Sequence, residues 1–249
     1  NRGTAPEAAP YSYTTEQVVS IPYVNKDLNL FTDKVEVALA SATDGARIYC
    51  TLDGSEPTEA SEPYVAPLTI DGTLQLKAKA YKEGFRPSRT LAIWATKAEL
   101  KPAKQVAPTQ QGTAYTYYEG MFSKVADIEK SPVVQRGVMA EPSLDNAMQE
   151  DHYAYIFTGW IKVPEDGAYG FMTASDDGSV LLIDGELVVN NDGSHAAIPA
   201  TGTIALQQGF HSYRLLYFED YEGQELKWGW KLPSATQFAP IPAESLFRE

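Results

Sequence analysis

Tyr169 to His195 reads YGFMTASDDGSVLLIDGELVVNNDGSH, and its punctuation decides the fold. Phe171 to Ala174 predicts a strand leading into the acidic turn Ser175-Asp176-Asp177-Gly178-Ser179. Val180 to Ile183 returns, Asp184-Gly185 makes a two-residue hairpin, and Leu187 to Val189 runs out to a polar turn at Asn190-Asn191-Asp192-Gly193. An Asp-Gly pair between apolar runs is a strong hairpin signal, because a type I′ turn needs positive φ at both central residues. Two turns rich in carboxylates and amides are thereby expected to project from a stiff β frame, where binding chemistry often sits. The same Asp, Asn and Gly residues are also simply good turn formers.

Working outward, the rest of the chain carries the same period of two. Val35, Val37 and Leu39 alternate with Glu36 and Ala38; Ile48, Cys50 and Leu52 with Tyr49 and Thr51; Leu74, Leu76, Ala78 and Ala80 with Gln75, Lys77 and Lys79. One apolar and one wet face is the signature of an antiparallel sheet. Turn signals at Asp44-Gly45, Asp53-Gly54, Asp71-Gly72 and Glu83-Gly84 space these strands as in a small immunoglobulin- or fibronectin-like β-sandwich. Further strands are predicted at His152 to Ile161, Ile204 to Leu206, Tyr213 to Phe218 and Leu226 to Leu232, with a short helix or turn at Lys124 to Lys130. Trp228 and Trp230 share a face, which suits core packing better than a sugar-stacking platform. The boundaries read as a leader or linker over 1–23 with one edge strand, a β domain over 24–97, a Pro-containing linker over 98–110 and a second β domain over 111–249.

Charge divides unevenly. Residues 1–110 carry 12 Lys and Arg against 13 Asp and Glu, whereas 111–249 carry 8 against 20. An acidic second half repels phosphate backbones, so nucleic acid is not an expected partner, and calcium or a neutral ligand such as a sugar suits it better. The one cysteine, Cys50, excludes an internal disulfide and reads as a buried, inert thiol. No apolar run reaches the ~18 residues of a membrane helix. A chain that begins at Asn1 is expected to be a processed protein or an excised fragment.

Two resemblances add to this reading. The run Ile48 to Thr58, with Ser61, Tyr64, Leu76 to Ala80 and Gly84 to Ser88, resembles the small β module on the C-terminal side of chitobiases and bacterial β-N-acetylhexosaminidases. That likeness implies a non-catalytic spacer attached to a glycosidase. Tyr117 to Gly120, Phe157 to Gly159, Pro164 to Phe171, Ser175 to Gly185, Asn191 to His195, Tyr217 to Glu219 and Leu226 to Trp230 resemble the protective-antigen fourteen-kilodalton (PA-14 type) family. It implies a β-barrel or sandwich of the kind appended to glycosidases, adhesins and toxins, several members of which bind carbohydrate. The fold expected is therefore all-β, two domains in tandem.

The second resemblance also implies a site. In sugar-binding fungal members an Asp-Asp pair joined by a cis peptide coordinates Ca²⁺, and Asp176-Asp177 matches that pair. Those members add an Asn from a later loop, where this chain has Glu219. The expected metal ligands are Asp176, Asp177 and Glu219; the expected carbohydrate face adds Asn191, Asp192, His195 and Asp220. Ca²⁺ takes six to eight oxygens, which adjacent carboxylates on a tight turn begin to supply. His152, His195 and His211 show no zinc spacing, and His152 and His211 read as satisfying local hydrogen bonds. No catalytic motif occurs, and the Asp-Glu pair that carries the catalytic acid in hexosaminidases is missing. The expectation is a non-catalytic carbohydrate-binding region of a secreted, periplasmic or surface-bound bacterial glycosidase. Its partners would be glycans and a catalytic domain of the same polypeptide. The alternative is a module that only packs on and stabilises that domain.

Overall fold

The computed structural model describes residues 16–248; that part of the expected leader lying in 1–15 falls outside them. The described residues divide into two compact units, one of residues 16–29 and 33–96, the other of 30–32 and 97–248. The first contains β1 (Tyr23–Val24), β2 (Val35–Val37), β3 (Leu39–Ala40), β4 (Arg47–Thr51), β5 (Glu62–Pro63), β6 (Leu68–Ile70), β7 (Leu74–Tyr81) and β8 (Leu91–Ala95). β5-β4-β7-β8 form one antiparallel sheet, and β1-β3 and β2-β6 are two short pairs. The period of two is realised as read: Val37, Leu39, Ile48, Cys50, Leu76, Ala78 and Ala80 are buried. Leu52 departs from it, because the strand stops at Thr51 and leaves Leu52 40% exposed in the turn. Residues 16–24 are not a free leader, since Val19 is buried and its N–H donates to the Arg86 carbonyl.

The second unit contains β9 (Gln110–Gln111), β10 (Thr113–Glu119), β11 (Val133–Met139), β12 (Tyr153–Val163), β13 (Gly167–Asp176), β14 (Ser179–Ile183), β15 (Glu186–Asn191), β16 (Ile198–Leu206), β17 (Gly209–Glu219), β18 (Glu225–Lys231), β19 (Ala239–Pro240) and β20 (Leu246–Arg248). The larger sheet runs β11-β10-β12-β17-β14-β15, with β20 on β12 and β9 on β20; the smaller runs β16-β13-β18-β19. The expected helix at Lys124 to Lys130 is a single 3₁₀ segment, Val125–Lys130. No helix among the described residues is long and apolar enough to cross a membrane.

The core between the sheets is aromatic: Tyr117, Tyr155, Phe157, Tyr169, Phe171, Trp228 and Trp230 all belong to it. Burying each such ring removes 150–250 Å² from water and stabilises the fold by roughly 2–3 kcal/mol. Trp228 lies against Tyr213 and Trp230 against Tyr169, so both tryptophans pack inward. The Asp184-Gly185 hairpin has φ of 50° and 79° at its two central residues, the type I′ requirement. Asp184 also turns its carboxylate inward, accepting from the Ser212 N–H and from His211 Nδ1, both at 2.8 Å. Both side chains are fully buried. Burial pushes the Asp184 carboxyl up, but the His211 and Ser212 hydrogen bonds outweigh it and hold it below its ordinary value. Within the stretch read as a linker, the N–H groups of Lys101 and Lys104 donate to Ala205 and Phe210, the Lys101 carbonyl accepts from Gln207, and Lys101 pairs with Glu186.

Candidate metal centre

β13 belongs to the smaller sheet as far as Asp176, which pairs with Glu225; β14 belongs to the larger from Ser179, which pairs with Tyr217 and Asn191. Asp176, Asp177 and Gly178 are thus the crossing between layers at one end of the sandwich. The Asp176-Asp177 peptide is cis. Gly178 must lack a side chain, since a Cβ there would stand 2.3 Å from the Phe218 ring and 2.9 Å from the Gly193 nitrogen. Beneath the crossing lies a buried polar network. Ser179 Oγ bonds Thr173 and Ser175, and Asn191 Nδ2 donates to Ser175 Oγ and to the Ile198 carbonyl.

Glu219 ends β17, which the register sets two residues beyond the Tyr217–Ser179 pair, and this brings it to the same place. Asp176, Asp177 and Glu219 each offer an oxygen, and the three lie within 4.8 Å of one another. They do not project as the sequence led us to expect: Asp177 and Glu219 are buried, and only Asp176 is partly exposed. Asp177 spans two loops, accepting from the His195 N–H at 2.8 Å on one oxygen and from the Asp220 N–H at 2.8 Å on the other. Asp176 accepts from the Ala197 N–H. Glu219 accepts from the Tyr217 hydroxyl at 2.9 Å through Oε2, while its Oε1 is buried with no hydrogen-bond partner. That same Tyr217 hydroxyl also reaches the Asp176 carbonyl, so one proton faces two acceptors.

Among the described residues no Lys, Arg or His forms an ion pair with these three carboxylates. Burial, with Asp177 and Asp176 adding their charges, pushes the Glu219 carboxyl up to about 8 despite the Tyr217 hydrogen bond. The arrangement fits a hard cation. Oxygens bound to one Ca²⁺ at about 2.4 Å can stand at most about 4.8 Å apart, and an ion held there would give the Glu219 Oε1 atom the partner it lacks.

The remaining predicted residues divide. Asp220 and His195 flank the cluster: Asp220 accepts from Ser194 Oγ, and the His195 ring faces the Asn191 and Ala196 carbonyls. Asn191 is turned into the buried network, and Asp192 accepts from the Val125 N–H, anchoring the 3₁₀ segment. Sequence reasoning missed the rim. Tyr221 is exposed and stacks near His152, whose φ is 61°, and Gln224 accepts from the Tyr153 hydroxyl. The Glu222 N–H donates to Asp151, tying two loops together. Gly223 sits where a Cβ would meet Asp176 Oδ2 at 2.9 Å, which the Tyr221-Glu222-Gly223 turn could have signalled.

Residues 109–243 match the family described as PA14 domain, and residues 29–92 match the chitobiase/beta-hexosaminidase C-terminal domain. Both are accessory domain types, not catalytic ones. A beta-hexosaminidase of Porphyromonas gingivalis is 25% identical over 91% of this chain. The chain spans about a third of that relative's length, 31%. Among solved structures, a PA14 sugar-binding domain from an RTX adhesin is 18% identical, covering 57% of this chain and all of that one, with a TM-score of 0.46. An epithelial adhesin A domain from Candida glabrata in complex with Galβ1-3GlcNAc is 9% identical, covering 58% and 90%, with a TM-score of 0.48.

Proposed function

The chain belongs to the PA14 domain family, and on that premise we propose that its second unit is a calcium-assisted carbohydrate-binding module of a secreted bacterial glycoside hydrolase of the β-N-acetylhexosaminidase type. The observation that carries the reading is the carboxylate cluster itself: three acids within 4.8 Å, two of them buried, one oxygen without a partner and, among the described residues, no Lys, Arg or His paired with any of the three. Asp176, Asp177 and Glu219 would hold the Ca²⁺. The ion supplies a centre to which vicinal sugar hydroxyls can bind. Asp177 contributes more than charge, because its bonds to the His195 and Asp220 N–H groups fix the two loops that border the cluster. His195 and Asp220 border the cluster, and with the exposed Tyr221 they would contact the sugar.

The first unit is read as a spacer between this module and a catalytic domain of the same polypeptide, in keeping with its match to a hexosaminidase C-terminal domain. The test is a glycan array probed with the chain in Ca²⁺ and in EDTA, alongside Asp177→Asn. Retention that requires both Ca²⁺ and Asp177 supports the proposal. A correctly folded chain that retains no glycan in either buffer is a structural appendage only, and the proposal fails.

A further inference from the structure

The larger sheet has an outer face. One half of it is covered by residues 121–132, where Phe122 and Ile128 pack over Ile156, Leu216 and Phe218. The other half is open. There the register aligns Val138, Ala114, Thr158, Arg214 and Leu182 in one row across β11, β10, β12, β17 and β14. Trp160 and Ser212 face each other in the row beyond. Because Ala114, Thr158 and Ser212 are short, they leave a dent between Trp160 and Arg214. Its volume is about 480 Å³, and Arg248 also lines it. Arg136, opposite Thr116, stands one row on the other side.

The charge of this dent runs against its surroundings. Residues 111–249 carry 8 basic side chains against 20 acidic ones, yet two of those eight, Arg214 and Arg248, line the dent and a third, Arg136, stands one row away. Arg214 pairs with Glu129 at 2.7 Å, whereas Arg136 and Arg248 form no ion pair among the described residues. The two guanidinium groups that line the dent, against one carboxylate, leave it positive on an acidic domain. It is also remote from the carboxylate cluster: Arg214 and Glu219 are five residues apart on β17, about 17 Å at about 3.3 Å per residue.

We propose that this dent is a second binding site, which takes one acidic sugar residue, carboxylated or sulfated, without calcium. The guanidinium fork matches carboxylate and sulfate oxygens in pairs. Trp160 offers an apolar wall to the ring's C–H face, and the Thr158 and Ser212 hydroxyls can exchange hydrogen bonds with ring hydroxyls. The volume falls in the lower part of the range of ordinary ligand sites and suits a single sugar unit or two.

The test is calorimetric titration of the whole chain in EDTA, which silences any calcium-dependent site. The probes are glucuronic acid, glucose 6-sulfate, neutral glucose and inorganic sulfate. The acidic sugars should bind at least about tenfold tighter than glucose, and raising NaCl from about 50 to about 500 mM should weaken them several-fold. Arg248→Gln and Arg214→Gln should each weaken acidic-sugar binding about tenfold, and Asp177→Asn should leave it unchanged. Should Arg214→Gln melt early through loss of the Glu129 pair, Arg248→Gln decides alone. Equal binding of glucose and glucuronate, or binding indifferent to Arg248→Gln, overturns the proposal. So does inorganic sulfate binding as tightly as the sugars and displacing them, since the dent would then be a plain anion site.

Discussion

Glu219→Gln separates the two burdens that the carboxylate cluster places on the fold. In the metal-free chain the Glu219 carboxyl is held up at about 8 by burial and by Asp177 and Asp176, above the ordinary 4.5 it takes in the unfolded chain. The folded state therefore binds this proton more tightly than the unfolded state. Its contribution to stability is full below about pH 4.5 and is lost as pH rises through about 8. At about 1.4 kcal/mol per pH unit across that window, the loss by pH 9 is on the order of a few kcal/mol. Glutamine keeps the shape and removes the charge. Urea unfolding in EDTA should show the wild-type chain losing stability between pH 5 and pH 9 relative to Glu219→Gln. Adding Ca²⁺ should reverse the order above neutral pH, because the ion offsets the buried charge in the wild type and loses a ligand in the variant. Parallel stability curves for the two proteins across this pH range, with or without Ca²⁺, would refute the reasoning.

Three further outcomes follow from the packing. His211→Ala strands the Asp184 carboxylate, whose side chain is fully buried beside it, and should cost about 3–5 kcal/mol in urea unfolding. Gly202→Ala sets a Cβ 1.7 Å from the Val188 carbonyl oxygen, where β15 and β16 approach closely, and should lower stability by at least about 1–3 kcal/mol. Cys50 is buried and its thiol is pushed up by burial and by Glu62, so it should react with a thiol reagent at neutral pH only on the timescale of unfolding.

Much of the architecture is legible from alternation and turn chemistry. The Asp184-Gly185 hairpin, the inward faces of β4 and β7, and the burial of Trp228 and Trp230 all follow from period two and the demands of a type I′ turn. β11 is not legible in the same way. Gly137 interrupts its pattern, and the reason lies in another strand: the Tyr115 ring occupies the space a Cβ would need, 2.6 Å away. The site divides similarly. Asp176 and Asp177 stand out as adjacent acids before a glycine, and the family resemblance points to Glu219. What the sequence does not disclose is that the chain changes sheets at Asp177. That crossing turns Asp177 and Glu219 inward, so that an acidic turn expected to face water becomes a largely buried cluster. Asn191 and Asp192 look equivalent as turn residues, yet one holds the buried network together and the other anchors the 3₁₀ segment.

The most direct measurement is a crystal of the chain grown with Ca²⁺ and examined by anomalous scattering. The account predicts one peak bonded to Asp176, Asp177 and the Oε1 atom of Glu219. No peak there, with Glu219 protonated and donating to Asp177, would contradict it.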